Sequence, residues 1–119
     1  MIETKQLLDK VIEGIQEKKG NKITIVDLTR IDDAICCYFV VCQGGSTTHV
    51  GAIAESVVDY VRETLGDKPG STDGLRTKEW VAIDHGSVVT HVFLPETREY
   101  YKLEQLWDDG ELIHIDDIY

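Results

Sequence analysis

The sequence predicts an α/β fold, a mixed sheet of about four to five strands packed by helices. Three observations carry the prediction. Leu7, Leu8, Val11, Ile12 and Ile15, and later Val50, Ile53, Ala54, Val57, Val58, Val61 and Leu65, recur at helical spacing. Between them, Cys37-Tyr38-Phe39-Val40-Val41-Cys42 is a continuous apolar run, the pattern of a strand buried on both faces. Further on, β-branched and apolar residues from Trp80 to Phe93 flank a His85-Gly86 pair, as in two strands joined by a tight turn. Helices that alternate with strand pairs pack onto a sheet because each has one apolar side to bury.

Taken in order, the first helix ends near Gly20-Asn21, and Ile23 to Leu28 alternates as a strand. A polar stretch, Thr29 to Asp33, leads to the apolar run. Gly44-Gly45-Ser46-Thr47-Thr48 then opens a long helix that Gly66 closes. Asp67 to Thr77 holds Pro69, Gly70 and Gly74 and reads as a loop. After the hairpin, Pro95 opens a third helix running through Trp107, Gly110 lies past its end, and Leu112 to Ile115 reads as a last short strand. No repeat, linker or low-complexity tract interrupts this order, so residues 1–119 are expected to form a single domain.

Composition narrows the function. Apolar residues make up 42% of the chain, which suits a packed core rather than disorder. No apolar run reaches the ~20 residues that span a bilayer, and the polar start Met1-Ile2-Glu3-Thr4-Lys5-Gln6 lacks a signal-peptide layout, so a cytoplasmic protein without a membrane partner is expected. Three cysteines, two of them adjacent as Cys36-Cys37, form neither a disulfide framework nor a Cys-x-x-Cys metal site. With 22 acidic and 12 basic residues the net charge is −10, and residues 103–119 hold no Lys or Arg. Neutralising phosphates needs clustered positive charge, so free nucleic acid is a poor partner and a basic protein a good one. The same charge also simply keeps a small protein soluble.

The hairpin carries the main candidate site. With His85-Gly86 as turn residues, Asp84 faces Ser87, Ala82 faces Val89 and Trp80 faces His91. Alternation then puts Trp80, Ala82, Asp84, Val89, His91 and Phe93 on one face. Val81, Ile83, Val88, Val92 and Leu94, with Thr90, share the other, which suits packing under helices. Aromatic clusters with a few polar handles are typical of binding hot spots, but the first face serves equally well as a second core layer with His91 satisfied inside.

In sequence order, a tryptophan strand ends in Asp84-His85-Gly86 and returns through His91-Val92-Phe93. Arg98, Tyr100-Tyr101, Leu103-Glu104 and Leu106-Trp107 then follow. This arrangement resembles the ribosomal silencing factor (Iojap) family, as do Tyr38-Phe39-Val40-Val41, Ser46 with His49, and Asp73-Gly74 ahead of the tryptophan. His85, Ser87 and Thr90 depart from the residues common there. The resemblance implies a core related to the nucleotidyltransferases but a binding role without catalysis, cofactor or metal. It implies docking on the large ribosomal subunit, through its fourteenth protein, which sterically blocks joining of the small subunit and represses translation. The docking residues it implies are Trp80, Asp84, His85, Gly86, His91, Phe93, Arg98, Tyr100, Tyr101 and Trp107. Leu103 and Leu106 are expected in the core. A homodimer of the free protein stays open.

Two enzymatic readings and one further ribosomal reading stand beside it. Gly44-Gly45-Ser46 between a strand and a helix is also how phosphate sites are built. A nucleotidyltransferase, however, needs paired carboxylates for two metal ions, and Asp84 has no partner two residues on. Cys42, His91 and Asp84 could in principle form a nucleophilic arrangement, although a thiol in an apolar run is usually inert. Assistance in large-subunit assembly is compatible with the docking reading.

Overall fold

The computed structural model describes residues 2–107 and 110–118, with the backbone alone for Trp107. The order is α1 (Thr4–Glu17), β1 (Asn21–Asp27), β2 (Tyr38–Gln43), α2 (Thr47–Leu65), β3 (Ser71–Asp73), β4 (Trp80–Asp84), β5 (Val88–Phe93), α3 (Pro95–Tyr101), a 3-10 turn (Leu103–Trp107) and β6 (Glu111–Ile115). The strands form one six-stranded sheet in the order β3-β4-β5-β2-β1-β6. Among the described strands only β2 and β5 run parallel to each other, because α2 intervenes between them as a crossover. The sheet is mixed as expected, with one strand more than the sequence suggested. The addition is β3, inside the stretch read as a loop: Ser71-Thr72-Asp73 has no apolar signal, and its pairing with Asp84, Ile83 and Ala82 makes it a strand.

Both long helices cover one face. Leu7, Val11 and Ile15 of α1 and Val50, Ile53, Ala54, Val57 and Val61 of α2 bury against Ile23, Ile25, Tyr38, Val40, Cys42, Val81, Ile83, Val88 and Val92. Each fully buried branched aliphatic contributes about 1.5–3 kcal/mol, so this layer supplies most of the driving force. The start of α2 is fixed by Ser46, whose Oγ accepts from the His49 N–H at 3.1 Å. No helix among the described residues is long and apolar enough to cross a membrane.

The second face is covered in part. Ile31, Ala34 and Cys36, from the segment joining β1 and β2, lie over Val26, Leu28, Phe39 and Val89. Leu103 of the 3-10 turn lies over Val41 and Phe93, with Trp80 alongside. The expected single helix to Trp107 is thus two pieces. Lys102 takes a left-handed conformation (φ 46°), ending α3 and turning the chain so that Leu103 reaches the sheet. Leu103 is buried as expected. Leu106, also expected in the core, is 72% exposed, because the break rotates it outward.

Candidate functional site

The hairpin turn is built from its own residues. Asp84 Oδ1 accepts from the Gly86 N–H at 2.7 Å, His85 N–H donates to the Val88 carbonyl at 3.0 Å, and Gly86 takes φ +89°. The register is Trp80 opposite Phe93, Ala82 opposite His91 and Asp84 opposite Val89. Gly86-Ser87 are therefore the turn residues rather than His85-Gly86, and the pairing slips by two residues. A slip of two preserves alternation, so the two predicted faces stand. Val81, Ile83, Val88 and Val92 are fully buried under the helices.

On the other face the aromatics form a graded stack. Phe93 is fully buried and lies 4.9 Å from Trp80, with the rings nearly parallel at 26°. Trp80, half-buried, meets Tyr101 at 4.9 Å, and Tyr100 stands edge-on to Tyr101 at 5.0 Å. Tyr100 is 81% exposed and Tyr101 49%. The stack thus runs from the core to solvent, an arrangement in which buried rings fix the orientation of exposed ones. Asp73, opposite Ala82, and Asp84, at the far end of β4 from Trp80, add two exposed carboxylates to the same sheet face.

His91 organises the stack from beneath. Its Nδ1 accepts from the Trp80 indole N–H at 3.0 Å, so the ring is neutral and carries its proton on Nε2. Burial pushes its pKa down to about 4, with the Glu104 carboxylate pulling weakly the other way. The Nε2 atom is buried without a hydrogen-bond partner among the described residues, while the ring meets Phe39 edge-on at 5.0 Å.

Arg98 is a clamp. Its guanidinium donates to Glu104 Oε1 at 2.7 Å, to the Lys22 carbonyl at 2.7 Å, to Thr24 Oγ1 at 3.2 Å and to Gln43 Oε1 at 3.3 Å. Both members of the Arg98–Glu104 pair are largely buried. The residue ties α3 to β1 and β2 and to the 3-10 turn, which a lysine could not do with a single point charge.

The ten expected docking residues therefore separate. Trp80, Asp84, Tyr100 and Tyr101 reach the surface together, with Gly86 exposed in the turn. Phe93, expected to be open to a partner, is inside, because Leu103 folds over it; His91 is inside too, among the Phe39, Trp80 and Phe93 rings, and Arg98 serves the fold. His85 is half-buried at the hairpin end, its ring nitrogens unpartnered among the described residues. Burial pushes its pKa down, while Asp67 and Asp84 act against that. The Trp107 side chain lies outside the described residues. Asp73 and Leu106 join the exposed set. Pairing with β4 is what brings Asp73 in, and the sequence carried no strand signal for it.

The competing chemistries find no geometry. The Gly45 N–H, which would face a phosphate, donates to His49 Nδ1 at 3.0 Å, and His49 Nε2 lies 2.7 Å from the Lys18 carbonyl. The loop is a turn plugged by its own helix. No cluster of three metal-ligating side chains exists among the described residues. Cys42 points into the helix-covered layer, with its thiol pushed up to about 12 by burial, whereas His91 points to the opposite face. The two cannot meet.

The model of the family described as "Ribosomal silencing factor during starvation" matches residues 1–119. The chain belongs to the ribosomal silencing factor family. A ribosomal silencing factor of Bacillus subtilis is 34% identical over 112 residues, covering 94% of this chain and 93% of that one. A crystal structure of a Chromobacterium violaceum protein superposes with a TM-score of 0.85 at 33% identity, over 90% of this chain and 88% of that one. The mouse protein named "Mitochondrial assembly of ribosomal large subunit protein 1" is 30% identical over 105 residues, which are 84% of this chain but 44% of its own length. Family membership puts the chain among ribosome-associated regulators rather than enzymes.

Proposed function

We propose that this silencing factor docks on the fourteenth protein of the large ribosomal subunit through the uncovered part of its second sheet face, and blocks small-subunit joining by occupying the space. The observation that carries the reading is the Trp80–Tyr101–Tyr100 stack, graded from core to solvent on a sheet face that also exposes Asp73 and Asp84. Pre-ordered aromatics lose little entropy on binding, and carboxylates at the rim suit a basic ribosomal protein. Trp80, Asp84, Tyr100 and Tyr101 make the contacts; His91 and Phe93 hold Trp80, and Arg98 holds α3. Because steric exclusion needs no bond-making, no catalytic residue is required.

Calorimetric titration of the purified fourteenth protein tests this. Trp80→Ala weakens binding about thirtyfold or more, equivalent to about 2 kcal/mol. Tyr100→Ala, at a fully displayed position, weakens it without altering the melting temperature. Parent-like affinity in both variants overturns the proposal. A second reading, assistance in large-subunit assembly, is favoured by the name of the mouse relative. It uses the same docking and differs in the stage at which the protein binds.

A further inference from the structure

The sheet has a second interaction surface at its far edge. Strand β6 pairs with β1 along one side only, from Ile23–Ile115 to Asp27–Glu111 in regular register, and no described strand pairs with its other side. Leu112 is 44% and Ile113 39% exposed. Edge strands are normally blunted by a lysine, a proline or a bulge, because their open amides and carbonyls template further pairing. The sequence Glu111-Leu112-Ile113-His114-Ile115 has no lysine or proline, and its pairing shows no bulge.

Charge decides what can add to this edge. Glu111 lies on the strand and Asp116 and Asp117 directly follow it; Asp27 stands opposite Glu111 on β1. The bases nearby are Lys22, whose backbone N–H donates to Asp117 Oδ1, Arg30, which lines a small hollow with Asp27 and Glu111, and Arg98 and Lys102, which line the cleft beside Leu112 and His114 but are paired with Glu104 and Glu99. A second copy fits poorly. Antiparallel pairing centred on Ile113 sets Glu111 of each copy diagonal to Asp117 of the other, and brings together two chains of net charge −10. An extended basic segment meets the opposite situation. Leu112 and His114 also line an open cleft of about 530 Å³ with Lys22, Thr24, Arg98 and Gln105, which leaves room for side chains on that face.

We infer that the open edge of β6 accepts an extended, lysine- or arginine-bearing segment of a partner protein as a seventh strand. Main-chain hydrogen bonds supply the affinity, and the carboxylates around Glu111 supply the preference for basic sequence. This surface lies at the opposite end of the sheet from Trp80, so the two can be engaged separately.

The test uses the full chain labelled with nitrogen-15 and two capped synthetic peptides, one of three Lys-Val repeats and one of three Glu-Val repeats. With the Lys-Val peptide, amide shifts saturate and solvent exchange slows at β6. The Glu-Val peptide gives neither effect. Glu111→Lys weakens the Lys-Val response about threefold, the size expected for one exposed charge pair, and Ile113→Lys abolishes it while the shifts of the helix-covered core stay in place. Trp80→Ala leaves it unchanged, which separates this surface from the proposed docking face. Absence of binding, equal response to both peptides, shifts centred elsewhere, or β6 protection in the peptide-free protein with a doubled mass each overturn the inference.

Discussion

Replacing His91 by glutamine removes a titration while keeping an acceptor for the Trp80 indole. Above pH 6.5 the histidine is neutral both folded and unfolded, so it contributes its packing without a protonation cost. As pH falls, the unfolded chain takes up a proton near 6.5, whereas the folded ring resists until about 4. The unfolded state then binds more protons, and stability drops through that window. Converting this depression gives about 3 kcal/mol in full, of which about 2 kcal/mol is lost by pH 5. Protonation would also place a hydrogen on Nδ1, where the Trp80 N–H now donates, so the stack loses its anchor. Urea unfolding followed by tyrosine and tryptophan fluorescence, at pH 7 and pH 5, measures the effect. The parent midpoint falls by about 1 M more than that of His91→Gln, given typical slopes for small domains. His85, also pushed down by burial, loses stability in the same direction in both proteins and cancels in the difference. Equal pH dependence in the two proteins would refute the placement of His91 as a buried neutral acceptor.

Three further outcomes follow from the packing. Val81→Ala leaves a cavity under α2 and costs about 2 kcal/mol in denaturant unfolding, while affinity for the large subunit stays at the parent level. Arg98→Ala strands Glu104 without its partner in a largely buried place and costs about 3 kcal/mol, seen as a lowered melting temperature. Gly74→Ala is more disruptive than its size suggests: Gly74 sits at φ +95°, and a Cβ there would stand 2.0 Å from the Trp80 carbonyl oxygen. The variant loses stability in the same unfolding assay and weakens large-subunit binding, because the entry to β4 must shift.

Much of this architecture is legible in the residues. Helical spacing located α1 and α2, and the Tyr38–Cys42 run marked the central strand because every one of its side chains is buried. The faces of the hairpin are legible even though its turn lies one residue beyond His85-Gly86, since the resulting slip of two keeps the side-chain alternation. Three features were not readable, each for a physical reason. β3 is an exposed edge whose pairing comes from β4 rather than from its own composition. The break at Lys102 arises at a residue with no intrinsic preference for left-handed backbone. The burial of Phe93 depends on Leu103 folding back after that break, and that of His91 on the Phe39, Trp80 and Phe93 rings closing round it, tertiary events that strand alternation cannot encode. The proposed docking face is therefore smaller than the set of residues the resemblance implies, because Phe93 and His91 lie beneath the surface rather than on it.

Sucrose-gradient sedimentation of purified ribosomal subunits, mixed at a magnesium concentration that favours joining, tests whether the docked protein keeps the subunits apart. Excess parent protein sediments with the large subunit and suppresses the joined particle, while Trp80→Ala at the same concentration does neither. Undiminished joining with the parent protein bound to the large subunit, or full suppression by Trp80→Ala, would contradict the proposed function.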